Sequence, residues 1–163
     1  MMPDRRQLIV GGFLLLTIAG LLGYQFFWRG PDVIRLPVVE DCKLSLEPCS
    51  SSLPMGGRIV FEINPRQPPA DVTLHLRADF HGLAPDGVGA RFKGVNMNMG
   101  HLEYLVHELS PIDTPGDSVS FEGKGGVFVC SIGLMRWLVI VKVQVGETIY
   151  EVPFNFETTY TGN

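Results

Sequence analysis

The sequence predicts an all-β domain, an immunoglobulin-like antiparallel β-sandwich, preceded by one N-terminal transmembrane helix. Three observations lead there. Residues 8–28 form an apolar run that contains no charge. Beyond residue 35, apolar and polar residues alternate at the two-residue period of a strand, and no segment sustains a helical period. Clusters of Gly, Pro, Asn and Asp break this alternation at short intervals, the pattern of a sandwich of about seven to nine short strands.

In chain order, residues 1–7 are read as a cytoplasmic N-terminus and residues 8–28 as a transmembrane helix. Residues 29–35 are a linker and residues 36–163 a periplasmic sandwich domain. At about 1.5 Å per residue the apolar run reaches about 31 Å, enough for a hydrocarbon core of about 30 Å. Arg5 and Arg6 precede it, and Tyr24 and Trp28 stand at its far end, where interfacial aromatics belong. The positive-inside rule then places the N-terminus in the cytoplasm and the domain on the far side of the membrane; the reading adopted is a single-pass protein of a Gram-negative inner membrane with its domain in the periplasm. A cleaved signal peptide would have a shorter core and small residues at its cut site, and Gln25-Phe26-Phe27-Trp28 offers none. Cys42 lies far beyond the run, after Glu40 and Asp41, and is not placed as a lipid acceptor.

Within the domain, Ile59, Phe61 and Ile63 share one strand face. So do Val72, Leu74, Leu76, Ala78 and Phe80, with His75, Arg77 and Asp79 opposite. Trp137, Val139, Val141, Val143 and Val145 repeat the pattern, as do Tyr150, Val152, Phe154 and Phe156. Gly146-Glu147 between the last two runs reads as a hairpin turn. Further strands are expected near residues 88–95, 103–109, 119–122 and 127–132, and the glycines of residues 123–126 read as a hairpin loop. The formal net charge is −4 and the basic residues are scattered, so nucleic acid is not an expected partner. Arg77, Arg91, Lys93 and Arg136 are read as a solvated strand face.

The chain has three cysteines, an odd number for an oxidising compartment. Cys42 and Cys49 bracket a short loop and are expected to form a disulfide. Cys130 is left over, open either to burial as a small hydrophobe or to a metal or redox task.

The densest group of unusual residues is residues 95–107. Met97 and Met99, two apart, point the same way on an extended backbone, and Gly100, His101 and His107 follow. A second stretch supplies Cys130 and Met135 just before Trp137. Thioether and thiolate are soft ligands that favour Cu(I), whereas calcium or magnesium would need more oxygen donors than Glu103 and Glu108. Met97, Met99, His101, Cys130 and Met135 are therefore the candidate metal ligands, with copper, as Cu(I), the expected cofactor. Methionine also fills gaps in apolar cores, and that role stays open for each of them. There is no CxxC pair, no HExxH and no phosphate-cradling glycine-lysine motif, so an enzyme is not expected.

The anchor, the small β domain, Met97-Asn98-Met99-Gly100 and Met135-Arg136-Trp137 occur in an order that resembles the FixH/YtkA-like group of membrane-tethered periplasmic proteins. The resemblance implies copper handling outside the cytoplasm or assembly of a copper-containing respiratory oxidase, with an oxidase subunit as acceptor. Cys42, Cys49 and Cys130 are additions to that pattern and point to a sister group with more sulfur. The alternative reading is a metal-free interaction module that scaffolds a membrane complex.

Overall fold

The structure is a computed structural model that describes residues 5–27, 30–68, 72–97, 100–114, 116, 118–127 and 133–160. It divides into two compact units, Met1–Pro31 and Asp32–Asn163. The first unit contains helix α1 (Arg5–Phe27). Its described side chains, Arg6 and Ile9 through Tyr24, are all exposed. Among the described residues no helix is long and apolar enough to cross a membrane, so the expected span at residues 8–28 is not observed as such.

The second unit is β1 (Asp32–Arg35), β2 (Val39–Lys43), β3 (Cys49–Ser52), β4 (Arg58–Asn64), β5 (Leu74–His81) and β6 (Gly87–Gly94). A short 3-10 helix, Gly100–Tyr104, leads to β7 (Val106–Ile112) and β8 (Ser118–Gly125). Two long strands, β9 (Gly133–Val145) and β10 (Thr148–Tyr160), close the chain. Together they form one ten-stranded sheet in the order β1-β10-β9-β6-β7-β8-β5-β4-β3, with β2 also on β10.

The fold is mostly β with one N-terminal helix, as expected. It differs from the expected sandwich in being a single mixed sheet, curled into a half-barrel, and the hinge of the curl is β7. Its first residues pair with β6, Arg91 opposite Val106 and Val88 opposite Leu109, and its last residues pair with β8, Ser110 opposite Glu122. Such close crossing needs strand positions without side chains. A Cβ on Gly123 would lie 2.8 Å from the carbonyl oxygen of Glu108, and one on Gly125 would lie 2.9 Å from Leu76 Cδ1. Gly123 and Gly125, read as part of a hairpin loop, are therefore in a strand at the corner of the sheet, and only Gly126 lies past its end.

The sheet is mixed because of its N-terminal strands. The thirteen-residue β10 outruns any single neighbour on its outer edge. β1 pairs in parallel with residues 148–151 of it, and β2 with Phe154 and Asn155 after a register shift. Strand β1 thus occupies most of the expected linker, residues 29–35. Residues 103–109, expected as a strand, begin as the last turn of the 3-10 helix, and most of the strand expected at 127–132 lies outside the described residues. The turn at Gly146-Glu147 is as expected, with Gly146 at φ 59°, a backbone state that glycine adopts without steric cost.

The inner faces carry the core. Phe61 on β4 stacks on Phe154 of β10 with ring centroids 6.0 Å apart, so strands far apart in the sheet meet face to face. Ile59, Phe61, Leu74, Ala78, Phe80, Val139, Val141, Val152, Phe154 and Phe156 are all fully buried. Cys42 and Cys49 form the expected disulfide. Cys42 lies on β2, beside β10, and Cys49 on β3, beside β4, so the bond fastens the two ends of the curled sheet.

Candidate functional site

The sulfur-bearing stretches come together where β6 runs out. Past Gly94 the ladder with β9 continues for one bond, the Val95 N–H donating to the Arg136 carbonyl at 2.9 Å. The Asn96 carboxamide then takes over. Its Nδ2 donates to the Leu134 carbonyl at 3.0 Å, and its Oδ1 accepts from the Arg136 N–H at 3.0 Å. One side chain thereby ties down the backbone on both sides of Met135. Asparagine suits this place because its amide offers donor and acceptor in one plane.

Met135 points inward and is 1% exposed, as the strand period requires of a residue two before Trp137. Trp137 is core, as expected, and its Nε1 donates to Thr158 Oγ1 at 3.0 Å. Thr158 is the cross-strand partner of Met135. Met97 is half-buried and packs against the same core cluster. His101 stands exposed on the 3-10 helix, which packs against β6. The structure thus brings the Met97 and Met135 stretches to one rim and leaves His101 at the surface beside it. Met99 and Cys130 lie outside the described residues.

Among the described residues there is no group of three or more His, Cys, Asp or Glu that could hold a metal ion. Hard cations have no cage there. Of the candidate soft donors, Met97 and Met135 lie in the described residues, and both pack in or against the core cluster. Next to the rim, Leu134 and Thr159 line a cleft of ≈ 390 Å³ whose charged groups are Lys43 and Glu157, paired at 3.2 Å.

Two polar groupings elsewhere were not legible in the sequence. Glu151, on β10, is buried on the outer face of the sheet between Arg35 Nε at 3.1 Å and Arg91 Nη2 at 3.4 Å. It ties the exposed β1 to the sheet, and Arg91 Nε is buried with no hydrogen-bond partner among the described residues. The only trace in the sequence is a carboxylate inside an apolar run. On the other half, Asp79 accepts from Arg77 Nε at 3.0 and 3.1 Å and from the Ser120 hydroxyl. Burial pushes the Asp79 pKa up, but the Arg77 and Ser120 hydrogen bonds and the Arg77 charge outweigh it, and the carboxyl sits below its ordinary range.

His107, which closes the 95–107 stretch, is half-buried. It meets the Phe92 ring edge-on with centroids 5.7 Å apart, and desolvation lowers its pKa. Protonation is then easier in the unfolded chain. The stability contributed by the neutral ring is whole above the free-imidazole pKa of about 6.5 and is lost as pH falls from there toward the depressed folded value. Urea midpoints measured between about pH 8 and pH 5 are expected to fall in that window, and His107→Phe should flatten the fall. A slope unchanged in the variant would place the titration elsewhere.

Neither a family model nor a curated protein matches the chain. Among solved structures it is similar to a DUF4785 family protein from Legionella pneumophila, at 15% identity and a TM-score of 0.38. That alignment covers 64% of this chain and 29% of the Legionella chain, so this chain spans less than a third of that protein's length.

Proposed function

We propose that the chain is a periplasmic copper-binding protein, held at the inner membrane through α1. In this reading it keeps Cu(I) at the rim between β6 and β9 for transfer to a membrane acceptor such as an oxidase subunit. The observation that carries the proposal is the Asn96 bridge, which draws the methionine-bearing end of β6 to the backbone on either side of Met135. Met97 and Met135 are the described donors. Met99 is the third thioether expected from sequence, with Cys130 or His101 completing the shell. Thioether ligands favour the reduced ion, and a site at a strand end leaves room for ligand exchange.

The tether rests on a helix that is apolar on all sides, a composition suited to lipid or to a large core rather than to water. Confinement near a membrane raises the effective concentration of an acceptor in the same bilayer. The β unit is read as a derivative of the immunoglobulin-like sandwich, since two halves face each other across the Phe61–Phe154 contact. A metal-free scaffold module is the second reading, favoured by Met135 being 1% exposed, as a core-packing methionine is.

Cu(I) titration of the full chain in detergent against a competing chelator separates the two. Met97→Leu with Met135→Leu removes both sulfurs at nearly constant volume, so folding should change by less than about 1.5 kcal/mol for each substitution. The copper reading expects stoichiometric binding in the parent chain and a loss of at least about tenfold in affinity, about 1.4 kcal/mol, in the double variant. Absence of binding in the parent, or equal binding in both, sinks it and leaves the scaffold module.

A further inference from the structure

The outer face of β6 and β9 near this rim is basic and apolar at once, in a unit that is otherwise acidic. Residues 32–163 hold 10 Lys and Arg against 16 Asp and Glu. Yet the register places Lys93 opposite Leu138 and Arg91 opposite Ile140, and the Val95 N–H donates to the Arg136 carbonyl. Arg91, Lys93 and Arg136 therefore lie in neighbouring rows of one face, within the reach of diagonal cross-strand neighbours. Arg77 lies on the other half of the sheet, occupied by Asp79 and Glu122. Lys93 and Arg136 are exposed, and among the described residues neither is in an ion pair.

Around these charges stand large apolar side chains. Val95 is 60% exposed and Leu134 48%. On the adjoining 3-10 helix and just past it, Tyr104 is 73% exposed and Leu105 47%. Scattered single apolar residues on a surface need no explanation, but a group beside basic residues that are in no ion pair among the described residues does. Basic residues interleaved with aliphatic side chains and a tyrosine are the composition of surfaces that settle at the headgroup layer of a bilayer.

We propose that this face, Lys93 and Arg136 with Val95, Leu134 and Tyr104, docks the β unit onto the surface of an anionic phospholipid bilayer. The charges meet lipid phosphates while the apolar side chains enter the interfacial layer. Neither step requires the metal, so the copper reading can fail without touching this one.

The test uses residues 32–163 alone, because the whole core cluster and both disulfide cysteines lie within that unit and α1 would enter any vesicle. Binding is read by co-sedimentation with vesicles of phosphatidylcholine, with and without phosphatidylglycerol, at low and high salt. The proposal expects binding to the anionic vesicles that weakens with salt. It also expects a loss of at least about tenfold in Lys93→Glu with Arg136→Glu, and a comparable loss in Val95→Ser with Leu134→Ser. Equal binding to both vesicle types, no binding to the anionic ones, or indifference to the charge reversal overturns it. Tighter binding to poly-glutamate than to anionic vesicles overturns it in favour of an acidic protein partner.

Discussion

Replacing Phe154 by alanine is expected to lower the unfolding free energy by about 3–5 kcal/mol. The ring is fully buried on β10 and stacks on Phe61 of β4, 6.0 Å away and within 10° of parallel. No ladder bond joins β10 to β4, so these two strands meet across this contact through side chains alone. Truncation removes apolar area from the centre and leaves a void that the hydrogen-bonded strands on either side cannot readily close. Urea unfolding of the parent, Phe154→Ala and Phe154→Leu measures the loss, with the leucine variant expected between the other two. Adding Phe61→Ala completes a cycle whose coupling should be about 0.5–1.5 kcal/mol for an aromatic pair. A loss below about 1 kcal/mol in Phe154→Ala would mean that the halves do not meet at this contact.

The second large effect is expected from Cys42→Ala with Cys49→Ala, a loss of about 2.5 kcal/mol on chain-entropy grounds. That figure counts only the short loop. Cys49 is fully buried in the core cluster, and the bond joins β2 on β10 to β3 on β4. Its loss therefore also frees the two ends of the sheet to part, and the measured cost should lie above the loop value. Cys42→Ala alone, compared with the parent under reducing conditions, separates the bond from the packing of Cys49. If the double variant matches the parent in urea midpoint, the clasp contributes nothing.

Where local pattern dictates local structure, the strands follow the residues. The alternation at Ile59, Phe61 and Ile63 gives β4 its buried side, and the runs around Val141 and Val152 become β9 and β10, joined at the expected turn. Pairing of Cys42 with Cys49 was legible because the loop between them is short. The strands not foreseen, β1, β2 and β3, are four or five residues long and bury few side chains, so they leave little periodic signal. The glycines of β8 misled because a glycine that loosens a turn and one that lets backbones cross look alike in sequence.

The candidate rim was legible in its residue types and not in its construction. Met97, Met135 and Trp137 announce themselves by chemistry. Asn96, which joins their strands, is a turn residue like any other until its two partners, 38 and 40 positions away, are known. His107 reads as a surface imidazole until β6 and β8 are seen to close over it, with Phe92 on one side and Gly125 on the other.

Side-chain period is a property of neighbours in the chain, so the amino acids alone settled that this is a mostly β protein with an apolar N-terminal helix, a core of alternating aromatics and aliphatics, and a short disulfide loop. Which strands lie side by side, how the sheet curls at β7, and which charges share a face are non-local matters. They depend on contacts between residues many positions apart, and on glycines that permit backbones to cross closely, and only the folded chain decides them.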